Sequence, residues 1–374
     1  MSKTRRTYKY RIYPTNSQSA TLDSQLSLCC RLYNAALQER RDAWRMNHVS
    51  VTCYDQQRQL PLIKADDPEL KGVYSQVLQD VIKRVDKAYD AFFRRIKAGQ
   101  KAGFPRFHSN RRYDSLTYPQ GGFDIEGNVL HLSKVGDVKV KLHRPVEGNV
   151  KTLTIKRECG RWYACFSVEM DTPEPMPHTG EITGIDVGLT SFAVMADGEH
   201  IENPRYYRTA QAQLRRTQRR VSRRKKGSNR RRKAVGLLKR AHQHVKNQRA
   251  DFHHKESRKL VDRFSLIAVE DLNIKGLAGG MLAKSVNDAG WGSFLDKLTY
   301  KAEYAGRVLV RVNPNGTSQR CPCGASVPKT LAVRWHTCTA CGLSVNRDHA
   351  SALEILRLGL SLQASTQSGA TCVA

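Results

Sequence analysis

Residues 7–13, TYKYRIY, alternate polar and apolar side chains at a period of two, as a half-buried strand does. Pro14 ends the run, and Asn16 and Ser17 offer a helix cap. Leu22, Leu26, Cys29, Tyr33 and Leu37 then recur at helical spacing to about residue 45, and Val77, Val81, Val85, Ala88, Phe92 and Ile96 repeat the pattern before Gly99. From 123 to 169 the period returns to two, in DIEGNVLHL, GDVKVKL, KTLTIKR and RWYACFSVE, with glycine-containing turns between the runs. Short strands in this number predict a barrel. The isolated first strand predicts that the helices are an insertion into that barrel.

DTPEPMPHTG, residues 171–180, reads as a proline-rich linker. After it, EITGIDVGLTSFAVMADGEHIE gives an apolar strand, a glycine turn and a second strand. Leu214, Val221, Val235, Leu238 and Val245 form only a thin apolar stripe, which predicts two helices joined at KKGSN. SLIAVED, 265–271, stays apolar up to its acids, as a central parallel strand does. Phe294, Leu298, Ala302 and Ala305 predict a helix ending at Gly306, and RVLVRV a strand leading to the cysteines. The stretch from Leu360 is expected to be disordered.

With 374 residues and 40% hydrophobic content, the chain can bury a core in each of two or three domains. Its 63 Lys and Arg against 34 Asp and Glu leave a formal net charge of +29, a field that draws polyanions and weakens with salt. Residues 205–249 alone carry 18 Lys or Arg and no Asp or Glu. No apolar run approaches the roughly 20 residues of a membrane span, and the charged start has no signal-peptide core, so no membrane partner and a cytoplasmic location are expected. Cys29, Cys30, Cys53, Cys159, Cys165 and Cys372 are scattered, as reduced thiols are. Only the late quartet is clustered.

Three acids stand where strands or a helix could present them: Asp186 inside GIDVG, Glu270 at the end of an apolar run, and Asp348 at the start of DHASALEILRL. Phosphodiester hydrolysis by two Mg²⁺ needs carboxylates from several elements converging on one point. Gly184 and Gly188, flanking Asp186, read as space for a phosphate. Singly, the three acids read equally well as a turn residue, a strand-end acid and a helix cap. Cys321, Cys323, Cys338 and Cys341 have the order of a structural zinc ribbon, although CPC is one residue shorter than CxxC, and His336 is a substitute ligand. The plain alternative is four free thiols.

Arg215, Arg216, Arg219, Arg220, Arg223, Arg224, Lys225 and Lys226 lie between the two acid-bearing strands and suit nucleic-acid backbones read by shape. GIDVGLTSFAV, VEDLNIKGL, DAGWGSFLDKLTYKA, NPNGTSQRCPCG, KTLAVRWHTCTACGL and NRDHASALEIL follow one another in an order that resembles the TnpB proteins of bacterial insertion sequences. GFPRF at 103–107 and RRVSRRKKGS at 219–228 extend the likeness over nearly the whole chain. The resemblance implies an RNA-guided DNA endonuclease related to the single-RuvC CRISPR effectors. It implies a β-barrel wedge domain (1–15 and 111–172) with a helical recognition insert (16–110), then an RNase H-like RuvC domain (173–314, basic helices 205–264) carrying a zinc-ribbon insert (315–344) and a final helix (345–359), with 360–374 as tail.

By the same resemblance Asp186, Glu270 and Asp348 hold Mg²⁺, the four cysteines hold Zn²⁺, and Arg334 steadies the scissile strand. The partners implied are a guide RNA from the transposon end, one protein per RNA, and target double-stranded DNA beside a short adjacent motif. Tyr54, Gln76 and Gln79 are candidates for reading that motif. Where the family often carries DRD this chain has Asn346-Arg347-Asp348, and the following Asn-Ala-Ala is Ala350-Ser351-Ala352. The competing readings are an RNA-guided regulator without cleavage, a self-sufficient transposase, and a zinc-ribbon RNA-binding protein.

Overall fold

The structure, a computed structural model, describes all residues except Met1, Ser2, Pro173, His178, Thr179, Leu331 and 371–374. It divides into two compact units at the Thr172–Pro173 boundary.

In the first unit, β1 (Lys3–Tyr13) is followed by α1 (Asn16–Asn47), α2 (Cys53–Asp66), a 3₁₀ turn (Pro68–Gly72) and α3 (Ser75–Lys97). Six strands follow: β2 (Ser115–Tyr118), β3 (Phe123–Glu126), β4 (Val129–Leu132), β5 (Gly136–Lys141), β6 (Asn149–Glu158) and β7 (Arg161–Asp171). They join β1 in one antiparallel sheet of order β2-β6-β7-β1-β5-β4-β3. Its two edge strands, β2 and β3, are consecutive in the chain and separated only by residues 119–122, so the sheet curls until its edges nearly meet. Tyr118 and Phe123, one from each edge, bring their ring centroids to 6.4 Å. The strand that opens the chain sits at the centre of this sheet, and the helices emerge between it and β2.

The cap of α1 is Thr15 rather than Asn16 or Ser17: its hydroxyl accepts from Gln18 N while the Gln18 side chain accepts from Thr15 N. Helix α2 left no hydrophobic trace in the sequence, because it buries only Gln56 and Leu60 and carries Pro61. Arg84, paired with Asp80, donates to the Ser115 carbonyl and the Thr117 hydroxyl, fastening α3 to the sheet edge. Tyr54 is exposed on α2; one turn later Gln57 donates to the Gln79 carbonyl of α3 at 3.4 Å, and Gln76 lies one turn before Gln79.

The second unit holds β8 (Ile182–Val187), β9 (Ser191–Met195), β10 (His200–Glu202), α4 (Tyr206–Ser222), α5 (Asn229–Arg263), β11 (Leu266–Glu270), α6 (Ile274–Leu277), α7 (Ala283–Ala289), α8 (Trp291–Tyr304), β12 (Val308–Val312), the hairpin β13 (Trp335–Thr337) and β14 (Ser344–Asn346), and α9 (Arg347–Ala370). The main sheet runs β10-β9-β8-β11-β12, antiparallel from β10 to β8 and parallel from β8 to β12. Ile185, Ile267 and Val269 pack with Val261 of α5 and Phe294 and Leu298 of α8 on one face. Ala268 and Val312 pack with Ile355 of α9 on the other. The sheet is thus a middle layer, and its strand interiors are apolar on both faces.

The expected tail is a helix through Ala370, while 371–374 lie outside the described residues. Leu360, Leu362, Gln363 and Ala364 all favour helix, and the Ser361 and Ser365 hydroxyls donate back to the Arg357 and Ser361 carbonyls at 3.1 and 2.9 Å, so little opposes continuation. Among the described residues no helix is long and apolar enough to cross a membrane.

Candidate active site

Two glycines decide where the acids meet. A Cβ on Gly184 of β8 would lie 2.2 Å from the Ala352 carbonyl oxygen and 2.5 Å from Leu356 N, and the Ala268 Cβ of β11 lies 2.5 Å from where a Cβ on Gly359 would stand. Helix α9 therefore rests almost directly on the strand backbones. Gly184, which the sequence suggests is room for a phosphate, instead admits the helix, which leaves no such space there. From this contact, two residues along β8 advance about 6.7 Å to Asp186 on the same face. One turn back along α9 retreats about 6 Å to Asp348. The two carboxylates meet because strand and helix run antiparallel across the glycine.

Glu270 arrives by the same geometry. Strands β8 and β11 are parallel, with Ile185 opposite Val269, so the next residue on each is Asp186 and Glu270. Val269 points into the α5/α8 layer, while Ala268 and hence Glu270 face α9. All three acids occupy one face at the carboxyl end of parallel strands, where open α/β sheets bind their ligands. Burial first, then the charges of Glu270 and Asp348, push Asp186 up to about 8. Burial also raises Glu270, partly offset by the Thr317 hydroxyl donating to Oε1. Such a cluster is costly without a cation. Gly188 borders it: a Cβ there would stand 4.0 Å from Asp348 Oδ2 and 3.0 Å from the Ser191 carbonyl oxygen.

The way the third acid is held leaves no mark in the sequence pattern. Asn346, where the family often has an acid, caps α9 by accepting from Asp348 N at 2.9 Å. Arg347 is buried, donating from Nη1 to the Thr330 carbonyl at 2.8 Å and from Nη2 to Ser318 Oγ at 3.2 Å, while its N donates to the Arg334 carbonyl at 2.9 Å. Arg334 itself is exposed just before β13, with its backbone tied to the residue before Asp348.

The four cysteine sulfurs lie within 4.8 Å of one another, Cys321 to Cys341 at 3.5 Å and Cys323 to Cys338 at 3.7 Å. Sulfurs bound to zinc at about 2.3 Å stand about 3.8 Å apart in a tetrahedron, so the donor set and its spacing fit the ion. The short CPC turn presents both thiols. Backbone N–H groups, chiefly that of Cys341, hold Cys338 down to about 7, whereas burial pushes Cys321 up to about 12. His336 stands outside that cysteine group, buried with its Nδ1 against Lys329 Nζ.

Helices α4 and α5 form the basic hairpin. Arg215, Arg216, Arg219, Arg220, Arg223, Lys225 and Lys226 are exposed and Arg224 is half-buried; none of the eight has a carboxylate partner among the described residues. Two other residues keep the hairpin in place. Asp288, buried on α7, accepts from the N–H groups of Tyr207 and Arg208 at 2.7 and 3.1 Å and caps α4, and Arg231 donates to the carbonyls of Val221 and Arg224 at its other end.

The family described as "Probable transposase" (OrfB_IS605) matches residues 165–280, the Cas12f1-like TNB domain 291–355, and a helix-turn-helix domain family 1–48, which here is β1 and α1. A Streptomyces pristinaespiralis protein named as a candidate RNA-guided DNA endonuclease is 33% identical, over 97% of this chain and 92% of its own. The candidate RNA-guided DNA endonuclease InsQ of Escherichia coli K12 is 29% identical over 94% and 92%. The chain belongs to the TnpB family. Its fold is like that of the mini-RNA-guided endonuclease CRISPR-Cas_phi3, with a TM-score of 0.52 at 10% identity, over 96% of this chain and 92% of that one.

Proposed function

We propose that the protein is an RNA-guided DNA endonuclease that hydrolyses phosphodiester bonds at Asp186, Glu270 and Asp348. The observation that carries the reading is the convergence of these acids on one sheet face, close enough for two of them to raise the third. A β-meander on one side of β8 and two parallel strands on the other support an RNase H-like, RuvC-type core in 173–314 and 345–359. On this reading the curled sheet is the wedge, helices α1–α3 the recognition insert, and 315–344 the zinc insert.

The three carboxylates are the Mg²⁺ ligands, and two such ions at the site would stabilise the attacking and leaving oxygens of an in-line displacement. The chain's own residues orient them: Thr317 fixes Glu270, Asn346 and Arg347 fix the start of α9, and Gly188 leaves the entrance free of a side chain. Arg334, whose carbonyl is tied to the residue before Asp348, holds the strand being cut. The cations of α4 and of the turn that follows it, Arg215 to Lys226, take the backbones of the guide RNA and target DNA, and base pairing supplies the sequence specificity. Tyr54, Gln76 and Gln79 read the adjacent motif. One protein acts with one RNA in the bacterial cytoplasm, and zinc is structural.

The test is to express the chain with the DNA that flanks its gene, sequence the RNA that copurifies, and offer the complex Mg²⁺ and a DNA library with randomised flanks. Cleavage beside one enriched motif, lost in Asp186→Ala, is expected. RNA-dependent binding without cleavage would instead make the protein a regulator, and cutting without RNA a transposase.

A further inference from the structure

Asn346 and Arg347 tie the first turn of α9 to the cysteine-bearing segment 318–346, and His349, half-buried on the same turn, reaches the other way, to the main sheet. Its Nε2 lies 3.0 Å from the Ala196 carbonyl oxygen, in the turn 196–199 between β9 and β10. A carbonyl only accepts, so Nε2 carries the proton. The N–H of the same Ala196 donates to Thr183 Oγ1 of β8 at 3.2 Å, and Thr183 is fully buried. Ala196 thus holds α9 on its carbonyl and β8 on its amide. Asp348 stands one residue before His349 and Asp186 three residues after Thr183, so this bridge links the two acids through side chains that neither acid supplies.

The turn is shaped to receive the ring and is itself held. Gly198 has a φ of +87°, and a Cβ there would stand 3.2 Å from His349 Cε1. Glycine therefore lets the imidazole lie against the turn backbone. Gly198 N donates to the Met195 carbonyl at 3.0 Å and Met195 N to the Glu199 carbonyl at 2.8 Å. Arg263, at the end of α5, donates to Asp197 and Glu199 of this turn at 2.8 and 2.6 Å and to Glu181 at 2.8 Å. A ring bonded to this turn is bonded to a fixed point.

Packing by itself leaves α9 a freedom that matters to the acids. Gly184 meets the helix at Ala352 and Leu356, and Ala268 meets it at Gly359, all on the carboxyl side of Asp348. A helix supported only there can tilt its first turn off the sheet, and the tilt lifts Asp348 away from Asp186. We infer that His349 is a positioning residue: bonded to Ala196 and seated on Gly198, it fixes Asp348 over Asp186 and thereby sets the affinity of the acid cluster for divalent ions. The inference rests on the reading of the three acids as Mg²⁺ ligands, and it gives a role to a residue that reading leaves unused.

The test uses the full chain bound to the RNA that copurifies with it, with two readouts across a Mg²⁺ series. One is the rise in melting temperature that ion binding produces, which needs no cleavage; the other is the single-turnover rate on matched DNA. His349→Ala removes the bond, and Gly198→Ala presses on the ring from the turn while leaving His349 in place. Both are expected to raise the Mg²⁺ concentration for half-maximal effect about tenfold in both readouts, the size typical of losing a group that orients a metal ligand. His349→Gln keeps a donor that can reach the Ala196 carbonyl and should retain most of the wild-type affinity. Wild-type Mg²⁺ dependence in His349→Ala, with only a lower melting temperature or maximal rate, would make the ring merely structural and overturn the inference. Should His349→Ala not fold, Gly198→Ala decides in the same way. A wild-type chain whose melting temperature does not respond to Mg²⁺ would instead overturn the Mg²⁺ reading of the acids.

Discussion

The guanidinium of Arg347 reaches the Thr330 carbonyl at 2.8 Å from a residue adjacent to Asp348, so the cysteine knuckle and the third carboxylate share one junction. Arg347→Ala removes the donor that ties Thr330 and Ser318 to the start of α9. Cleavage is expected to fall at least tenfold, with RNA affinity within twofold of wild type. Single-turnover cleavage alongside filter binding separates the two, and equal losses in both would refute the junction.

Zinc removal should act on the same junction. The purified chain is expected to hold one zinc, and Cys338→Ser to lose it and open 318–346 to protease. Full metal content in that variant, measured by elemental analysis, would mean the cysteines are not the ligands.

Gly184→Ala should separate helix from strand. Its Cβ would sit 2.2 Å from the Ala352 carbonyl, so α9 must shift and carry Asp348 away from Asp186. Overpacking of this kind costs about 1–3 kcal/mol, and cleavage should fall with stability. Gly236→Ala on α5 meets nothing within 4 Å and should be neutral or slightly stabilising. Thermal unfolding of the pair decides.

Asp186→Asn is expected to abolish cleavage yet raise the melting temperature in Mg²⁺-free buffer. Asp186 is raised in the fold by burial, Glu270 and Asp348, so ionising it there costs stability as pH rises from its ordinary carboxylate range through about 8. The amide removes that cost. An unchanged or lower melting temperature at pH 8 would contradict the repulsion.

His253 gives the opposite pH dependence. Burial lowers it from 6.5 to about 4, so the unfolded chain binds the extra proton between those values, and the stability from the neutral ring is present above 6.5 and lost as pH falls toward 4. That window corresponds to about 3 kcal/mol. Hydrogen exchange of α5 amides at pH 7.5 and 5, corrected for intrinsic rates, should show a smaller drop in protection in His253→Gln than in wild type.

Period and chemistry made much of this molecule legible. The period-two runs gave the strands of the curled sheet, the run ending at Glu270 gave a central parallel strand, and KKGSN marked the turn between α4 and α5. What stayed hidden was decided by partners distant in sequence. Helix α2 buries too little to show a stripe, β2 is four residues long, and Asp288 and Arg231 look like ordinary surface charges until the helix ends they cap are seen. Gly184 next to Asp186 suggested substrate space, because nothing local says that a helix 168 residues later lies against it. The tail misled for the converse reason: low charge and many serines resembled disorder, whereas α9 was already nucleated by its packed half.

Strand β1 has a consequence for how the protein is made. Both its neighbours come late, β5 from residue 136 and β7 from residue 161, so β1 is first paired only after about 130 more residues have been added. At about 5–20 residues per second that is an interval of roughly 6–26 s in which Tyr8, Tyr10 and Ile12, almost wholly buried later, have no sheet to enter. Arg5, Lys9 and Arg11 alternate with them along the strand. Their charge opposes edge-to-edge pairing between nascent chains on neighbouring ribosomes, so the same side chains that line the finished sheet act first as guards of an unfinished one.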